Sequence, residues 1–192
     1  MKGARPLTET EIQKVSQTFN GKYEVRDGCM FILGIKTGMR ISELLSLNVG
    51  DVFEKGRPVD ILNLRKQQVK GKKEARSIPL NTAAKDAIQE LVSWLSWNGG
   101  ITEDMPLFPS QKGGKRMTRI QGHRILKRAY EKAGLTGKVT THSLRKSFGT
   151  RVYTATKDIM VTKELLGHAN VNTTQKYIGV GMDTLRAAVD AI

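Results

Sequence analysis

The chain has 192 residues, 39% of them hydrophobic and 26% charged, which suits one soluble globular domain and excludes a disordered chain. No apolar run approaches the roughly 18 residues of a membrane span, Met1–Pro6 lacks the apolar core of a signal peptide, and a single cysteine, Cys29, excludes an intrachain disulfide. The formal net charge of +14 is uneven: residues 61–156 hold nineteen basic against six acidic side chains, whereas 1–60 hold nine against eight and 157–192 four of each, a basic middle that predicts a nucleic-acid partner.

Thr8 and Glu11 form a Thr-x-x-Glu capping box with Leu7 and Ile12 as its hydrophobic staple, so a helix opens there and continues through Val15 and Phe19. Gly21 interrupts it. A second helix is expected from Val25 to Thr37, ended by Gly38, and a third through Ile41, Leu44, Leu45 and Leu47. Val59–Leu64 reads as a strand, Lys70-Gly71-Lys72 as a basic turn, and the return strand ends at Ile78-Pro79-Leu80, making a hairpin. Helical spacing resumes from Thr82 to Trp97 and stops at Asn98-Gly99-Gly100. Residues 101–117, with Pro106, Pro109 and Gly113-Gly114, read as a surface loop. Further helices are expected over Thr118–Ala133, Thr140–Ala155, Asp158–Leu166 (ended by Gly167) and Thr173–Ile178. The tail Met182–Ile192 carries an apolar stripe of Leu185, Ala188, Val189 and Ile192. The pattern is α+β, mostly α-helical, with a small antiparallel sheet inserted. Cys29, in an apolar stretch, reads as a buried small hydrophobe.

Several polar residues stand where they have chemical use. His142 and Arg145 are three apart on a predicted helix whose buried side holds Leu144 and Phe148, so the pair faces a cleft or solvent. Arg40 has Glu43 three residues on to hold its guanidinium. Lys70 and Lys72 flank the hairpin turn. Tyr177 follows His168 by nine residues in a polar segment. Taken singly, each has an ordinary structural reading: an Arg–Glu pair at i, i+3 is usually a surface ion pair worth under ~1 kcal/mol, and a His-x-x-Arg on a helix is usually a solvated face.

Together they resemble a known family. Thr37-Gly38-Met39-Arg40-Ile41-Ser42-Glu43-Leu44 is similar to the first arginine box of the tyrosine recombinases, also called phage integrases. His142-Ser143-Leu144-Arg145 resembles their His-x-x-Arg box, and Leu165-Leu166-Gly167-His168 followed by Tyr177 their final box. The resemblance covers residues 6–190. It implies the tyrosine recombinase catalytic-domain fold over residues 1–192, without the N-terminal core-binding domain of relatives. It implies Tyr177 as nucleophile, a 3′-phosphotyrosyl intermediate, and Arg40, Arg145, His142 and His168 as partners of the phosphate. Lys70 is the favoured general acid with Lys72 second, and Glu43 orients Arg40. Arg65, Lys66, Lys73, Lys115, Arg119, Arg124 and Lys146 are the expected DNA contacts. The implied partners are double-stranded DNA and further copies of the chain in a tetrameric synapse, with no membrane, no cofactor and no metal, at a cytoplasmic, nucleoid-associated location. Two other readings share much of this pattern: a type IB topoisomerase-like strand transferase, and a non-catalytic DNA-binding protein that keeps the fold.

Overall fold

Thr8 caps α1 (Glu9–Ser16) through the reciprocal box its spacing predicts: the Thr8 hydroxyl accepts from the Glu11 N–H, and the Glu11 carboxylate accepts from the Thr8 N–H. The computed structural model describes residues 3–65, 75–111, 113–178, 186, 189 and 190. Ahead of the helix, Arg5 forks onto Glu11 at 2.6 and 2.8 Å, and the Leu7 N–H donates to Ser147 Oγ at 2.7 Å. The bond to Ser147 fastens the opening segment to the helix that carries Arg145.

The centre of the molecule is α2 (Glu24–Thr37). Cys29, Met30, Phe31, Leu33 and Ile35 are all buried, and a helix apolar on more than one side must be covered on more than one side. The helix α5 (Thr82–Trp97) packs on one part of it and α7 (Thr141–Thr156) on another. The contact with α7 is close because Gly34 and Gly38, one turn apart, meet Leu144 and Phe148, also one turn apart. A Cβ on Gly34 would lie 2.6 Å from Leu144 Cδ1, and one on Gly38 would enter the Phe148 ring. Gly38 also ends α2 in the left-handed conformation, φ 62°.

Between these helices the chain makes α3 (Ile41–Leu44), α4 (Val49–Val52) and two small hairpins. The third helix is therefore shorter than its apolar spacing suggests, with Leu45 as its C-cap. The hairpin of β1 (Phe53–Glu54) and β2 (Arg57–Pro58) was not expected. Two-residue strands carry no alternation to read, although Lys55-Gly56, both at positive φ, is a tight-turn pair. The expected hairpin is β3 (Ile61–Leu64) and β4 (Arg76–Pro79), antiparallel with Leu62 opposite Ile78 and Leu64 opposite Arg76. Its turn, with Lys66, Lys70, Lys72 and Lys73, lies outside the described residues.

Residues 101–117 are not a surface loop. Leu107 and Phe108 are fully buried and Met117 nearly so. The segment is bridged to Asn48 at Pro106, the Leu107 N–H donates to the Leu47 carbonyl, and Arg116 reaches back to the Leu45 and Leu47 carbonyls. Arg26, itself buried, donates to the Pro109 carbonyl at 2.8 Å. The prolines and glycines correctly exclude a regular element, but the apolar pair between them goes to the core. The remaining helices are α6 (Arg119–Lys132), α8 (Ile159–Leu166) and α9 (Val171–Ile178), with α8 and α9 packed against α7 and each other. Leu185, Ala188 and Ile192 of the tail stripe lie outside the described residues, and Val189 is exposed. Among the described residues, no helix is long and apolar enough to cross a membrane.

Gly38→Ala would add a Cβ that strains the left-handed backbone, ~1 kcal/mol, and overpacks against Phe148, ~1–3 kcal/mol. Denaturant melts should show a loss of about 2–4 kcal/mol. Gly134→Ala, at φ 68° with open space around it, should lose only the backbone part. Equal losses in the two variants would contradict the packing role assigned to Gly38.

Candidate active site

The buried guanidinium of Arg145 is the hub of the site. It is 1% exposed, and it donates to the Gly38 carbonyl at 2.6 Å and to the Leu166 carbonyl at 2.5 Å. Gly38 caps α2, and Leu166 is the last residue of α8. Both acceptors are orphan carbonyls at helix C-termini, where partial negative charge gathers and a cation is favoured. One side chain on α7 thus ties together the ends of two other helices. Gly149 allows the approach on the α8 side, since a Cβ there would lie 3.0 Å from Leu166 Cδ1.

Arg40 follows directly from the Gly38 turn, at the N-cap of α3. Its backbone N–H and its Nη1 both bond to the Glu43 carboxylate, at 2.9 and 2.6 Å. Glu43 is fully buried. Burial opposes its ionisation, yet the Arg40 backbone N–H, Arg76 and the Arg40 side chain together hold its carboxyl below the usual range. The third cation is Arg76, from β4. Its Nη1 shares the Leu166 carbonyl with Arg145, and its Nη2 lies 3.5 Å from Glu43 Oε2. Burial and the neighbouring cations Arg40 and Arg76 pull Arg145 down to about 10, against the opposing pull of Tyr177 and Glu43.

His168 lies two residues beyond the shared carbonyl, after the left-handed Gly167. Its Nδ1 is 3.0 Å from the buried Thr174 hydroxyl, and its ring meets the Tyr177 ring edge-on, 5.1 Å between centroids. Burial first, then the charges of Arg145, Arg40 and Arg76, lower the imidazole to about 4. His168 is therefore neutral at physiological pH and adds a hydrogen-bonding group to the site without a fourth cation.

Residues 5–183 match the model of the phage integrase family. The chain belongs to the phage integrase family. It is 37% identical over 185 residues to the probable integrase/recombinase YoeC of Bacillus subtilis, covering 96% of this chain and 94% of that protein. It is 37% identical over 177 residues to the tyrosine recombinase XerC of Herpetosiphon aurantiacus, covering 90% of this chain and 54% of that one. The chain thus spans nearly all of YoeC but about half the length of the XerC-type relatives. Among solved structures, XerA recombinase matches with a TM-score of 0.76 at 26% identity, over 99% of this chain and 66% of that one. XerH recombinase bound to a palindromic difH substrate, in a post-cleavage complex, matches with a TM-score of 0.77 at 27% identity, over 96% and 51%. The fold is that of the tyrosine recombinase catalytic domain.

Within this integrase-family site, the structure brings Arg40, Glu43, Arg145, His168 and Tyr177 together from segments more than 130 positions apart. His142 is placed differently from its expected partner. It stands in the first turn of α7, exposed, while Arg145, one turn later on the same side of the helix, is buried. The reason is that Arg145 is held inward by two helix ends, a contact that spacing along one helix does not reveal. Lys66, Lys70, Lys72 and Lys73 lie outside the described residues. Arg65, Lys115, Arg119 and Arg124 are exposed, Lys146 is half-buried beside Arg145, and Arg65 is 3.2 Å from Asp51. Among the described residues no group of three His, Cys, Asp or Glu side chains is gathered as metal ligands would be.

Two residues escaped the sequence reading. Thr174, one turn before Ile178, sets the His168 ring. Arg76 had a readable signal: in a strand, residues two apart share a face, so an arginine two before the apolar Ile78 points inward. His168 offers a direct check on the electrostatics. Its folded value is depressed, so between roughly pH 6.5 and 4 the unfolded chain binds more protons; its contribution to stability is full above that window and is lost as pH falls through it. An NMR titration should place the His168 midpoint near 4. A midpoint above 6 would show that the ring does not sit among buried guanidinium groups.

Proposed function

We propose that this chain breaks and rejoins double-stranded DNA as the catalytic unit of a site-specific recombinase, with Tyr177 as the nucleophile. The observation that carries this reading is the gathering of Arg40, Arg145 and His168 into one cluster from three separate stretches of chain, with the Tyr177 ring edge-on to His168. A protein that only binds DNA has no use for a phenol against a buried arginine cluster. The relatives named recombinases and integrases support the same reading.

In this mechanism the Tyr177 oxygen attacks a backbone phosphorus, a P–O bond forms, and the bond to the 5′-oxygen breaks. The leaving oxygen takes its proton from the hairpin lysine, Lys70 in preference to Lys72. Attack by another 5′-hydroxyl on the phosphotyrosine reverses the step, so bond energy is conserved and no ATP is consumed. A phenol is a weak nucleophile at neutral pH, with a reference pKa near ~10, so His142 assists removal of its proton. Negative charge grows on the non-bridging oxygens in the transition state. Arg40 and Arg145 meet it with fixed N–H donors. Arg40, 26% exposed at its side chain, meets the incoming phosphate first, and Arg145 completes the clamp from below. In the tautomer with its proton on Nε2, in which Nδ1 accepts from the Thr174 hydroxyl 3.0 Å away, neutral His168 serves as one more donor.

Arg65, Lys115, Arg119, Arg124 and Lys146 belong to the stretch that holds the positive excess and serve the flanking phosphates, so binding weakens steeply with salt. XerH was captured on a palindromic site, and a palindrome suits paired copies of one protein. We extend that arrangement to this chain, acting as a homo-oligomer at the nucleoid.

A duplex nicked beside the cleavage position traps the covalent product by letting the short end diffuse away. The chain should form a protein–DNA adduct on it, and Tyr177→Phe should form none while binding DNA with unchanged affinity. Lys70→Ala should slow adduct formation by at least ~100-fold. A substrate with sulfur in place of the 5′-bridging oxygen, whose leaving thiolate needs no proton, should restore it. Adduct formation by Tyr177→Phe would refute the assignment of the nucleophile.

A further inference from the structure

Arg76 is an expensive residue at its position. It stands on the inward face of β4, in register with buried Ile78, where an apolar side chain would pack without desolvating a charge. Its Nε is buried and has no hydrogen-bond partner. Burial, opposed by Glu43 and reinforced by Arg40, lowers its affinity for its own proton. Something else must hold an arginine there, and its bonds say what. Nη1 donates to the Leu166 carbonyl, the oxygen that also receives Arg145. Nη2 approaches Glu43 Oε2, the oxygen that also receives the Arg40 backbone N–H. Each of the two arginines proposed for the phosphate clamp thus shares its anchor with Arg76. The fit is tight on the far side too: a Cβ on Gly167, next to His168, would lie 2.8 Å from Arg76 Cδ.

Building on the DNA-cleavage reading above, we infer that Arg76 is a positioning residue for the clamp, joining the Glu43–Arg40 pair to the Leu166–Arg145 pair so that both guanidinium groups present fixed donors to one phosphate. In this role it acts through Arg40 and Arg145, whose anchors it shares, and not on the phosphate itself. A fork is required for this, since one planar group must serve two acceptors at once. Lysine keeps the charge but offers a single point of attachment. Arg76 is also one of the three cations that keep His168 neutral.

The test compares Arg76→Lys and Arg76→Gln with the wild-type chain. The lysine variant keeps a buried cation opposite Glu43 and guards against reading simple unfolding as lost function. Single-turnover adduct formation on the nicked duplex should fall about 10- to 100-fold in Arg76→Lys and further in Arg76→Gln. DNA affinity and the melting temperature of Arg76→Lys should stay close to wild type. The deficit should shrink on a duplex whose cleavable phosphate is a methylphosphonate, which has one charged oxygen fewer to clamp. Without DNA, the Nε–Hε resonances of Arg40 and Arg145 should be sharp and slow to exchange in wild type, and broadened in both variants. Unchanged arginine resonances, or wild-type cleavage rates in both variants, would overturn the inference. The resonances report on Arg76 even if the wild-type chain forms no adduct, an outcome that would count against the cleavage reading alone.

Discussion

The structure depends on a buried arginine being satisfied by the ends of two helices. Arg145 sits on α7 but spends donors on Gly38, at the end of α2, and on Leu166, at the end of α8. Left unpaired, a guanidinium at that depth would cost several kcal/mol. Paired, it lets two helix C-termini, with their unsatisfied carbonyls, converge on one point. The packing around it serves the same end. Gly34 and Gly38 bring α2 onto Leu144 and Phe148, and Gly149 brings α8 onto α7. Because those three glycines carry no side chain, the helices approach closely enough for one fork to span them.

What converges with the helix ends is an excess of positive charge. Arg40, Arg76 and Arg145 surround a single carboxylate, Glu43, and the adjacent histidine is kept neutral. Such a cluster is unfavourable by itself and improves when an anion arrives. A phosphodiester carries a single negative charge, and its five-coordinate transition state concentrates more on the oxygens. Donors already fixed in place gain most from the more charged species, which is the condition for lowering a barrier and not merely binding tightly. The residues that hold the cluster rigid therefore matter as much as those that touch the phosphate.

Much of this was legible in the chain before folding. The capping box at Thr8, the helix end at Gly38 and the α6 start at Thr118 follow local rules that the fold obeys. Arg40, Glu43, Arg145, His168 and Tyr177 were legible only as a set, because each taken singly has an ordinary structural role. The misses have physical causes. Leu107 and Phe108 are buried by tertiary contact in a segment with no periodic pattern. The depth of Arg145, buried where His142 one turn before it is exposed, comes from helix ends distant in sequence that hold its guanidinium. A charge on a short strand, such as Arg76, reads as solvent-facing until its register with Ile78 is considered.

Replacing Arg145 with lysine tests the central claim most directly. Lysine keeps a cation on α7 but cannot bridge the Gly38 and Leu166 carbonyls while offering further donors to a phosphate. The account predicts that Arg145→Lys melts at lower temperature, still binds duplex DNA, and forms the Tyr177 adduct on a nicked duplex at least ~100-fold more slowly. A lysine variant that cleaves at the wild-type rate would show that charge alone suffices and that the buried fork is not what organises the site.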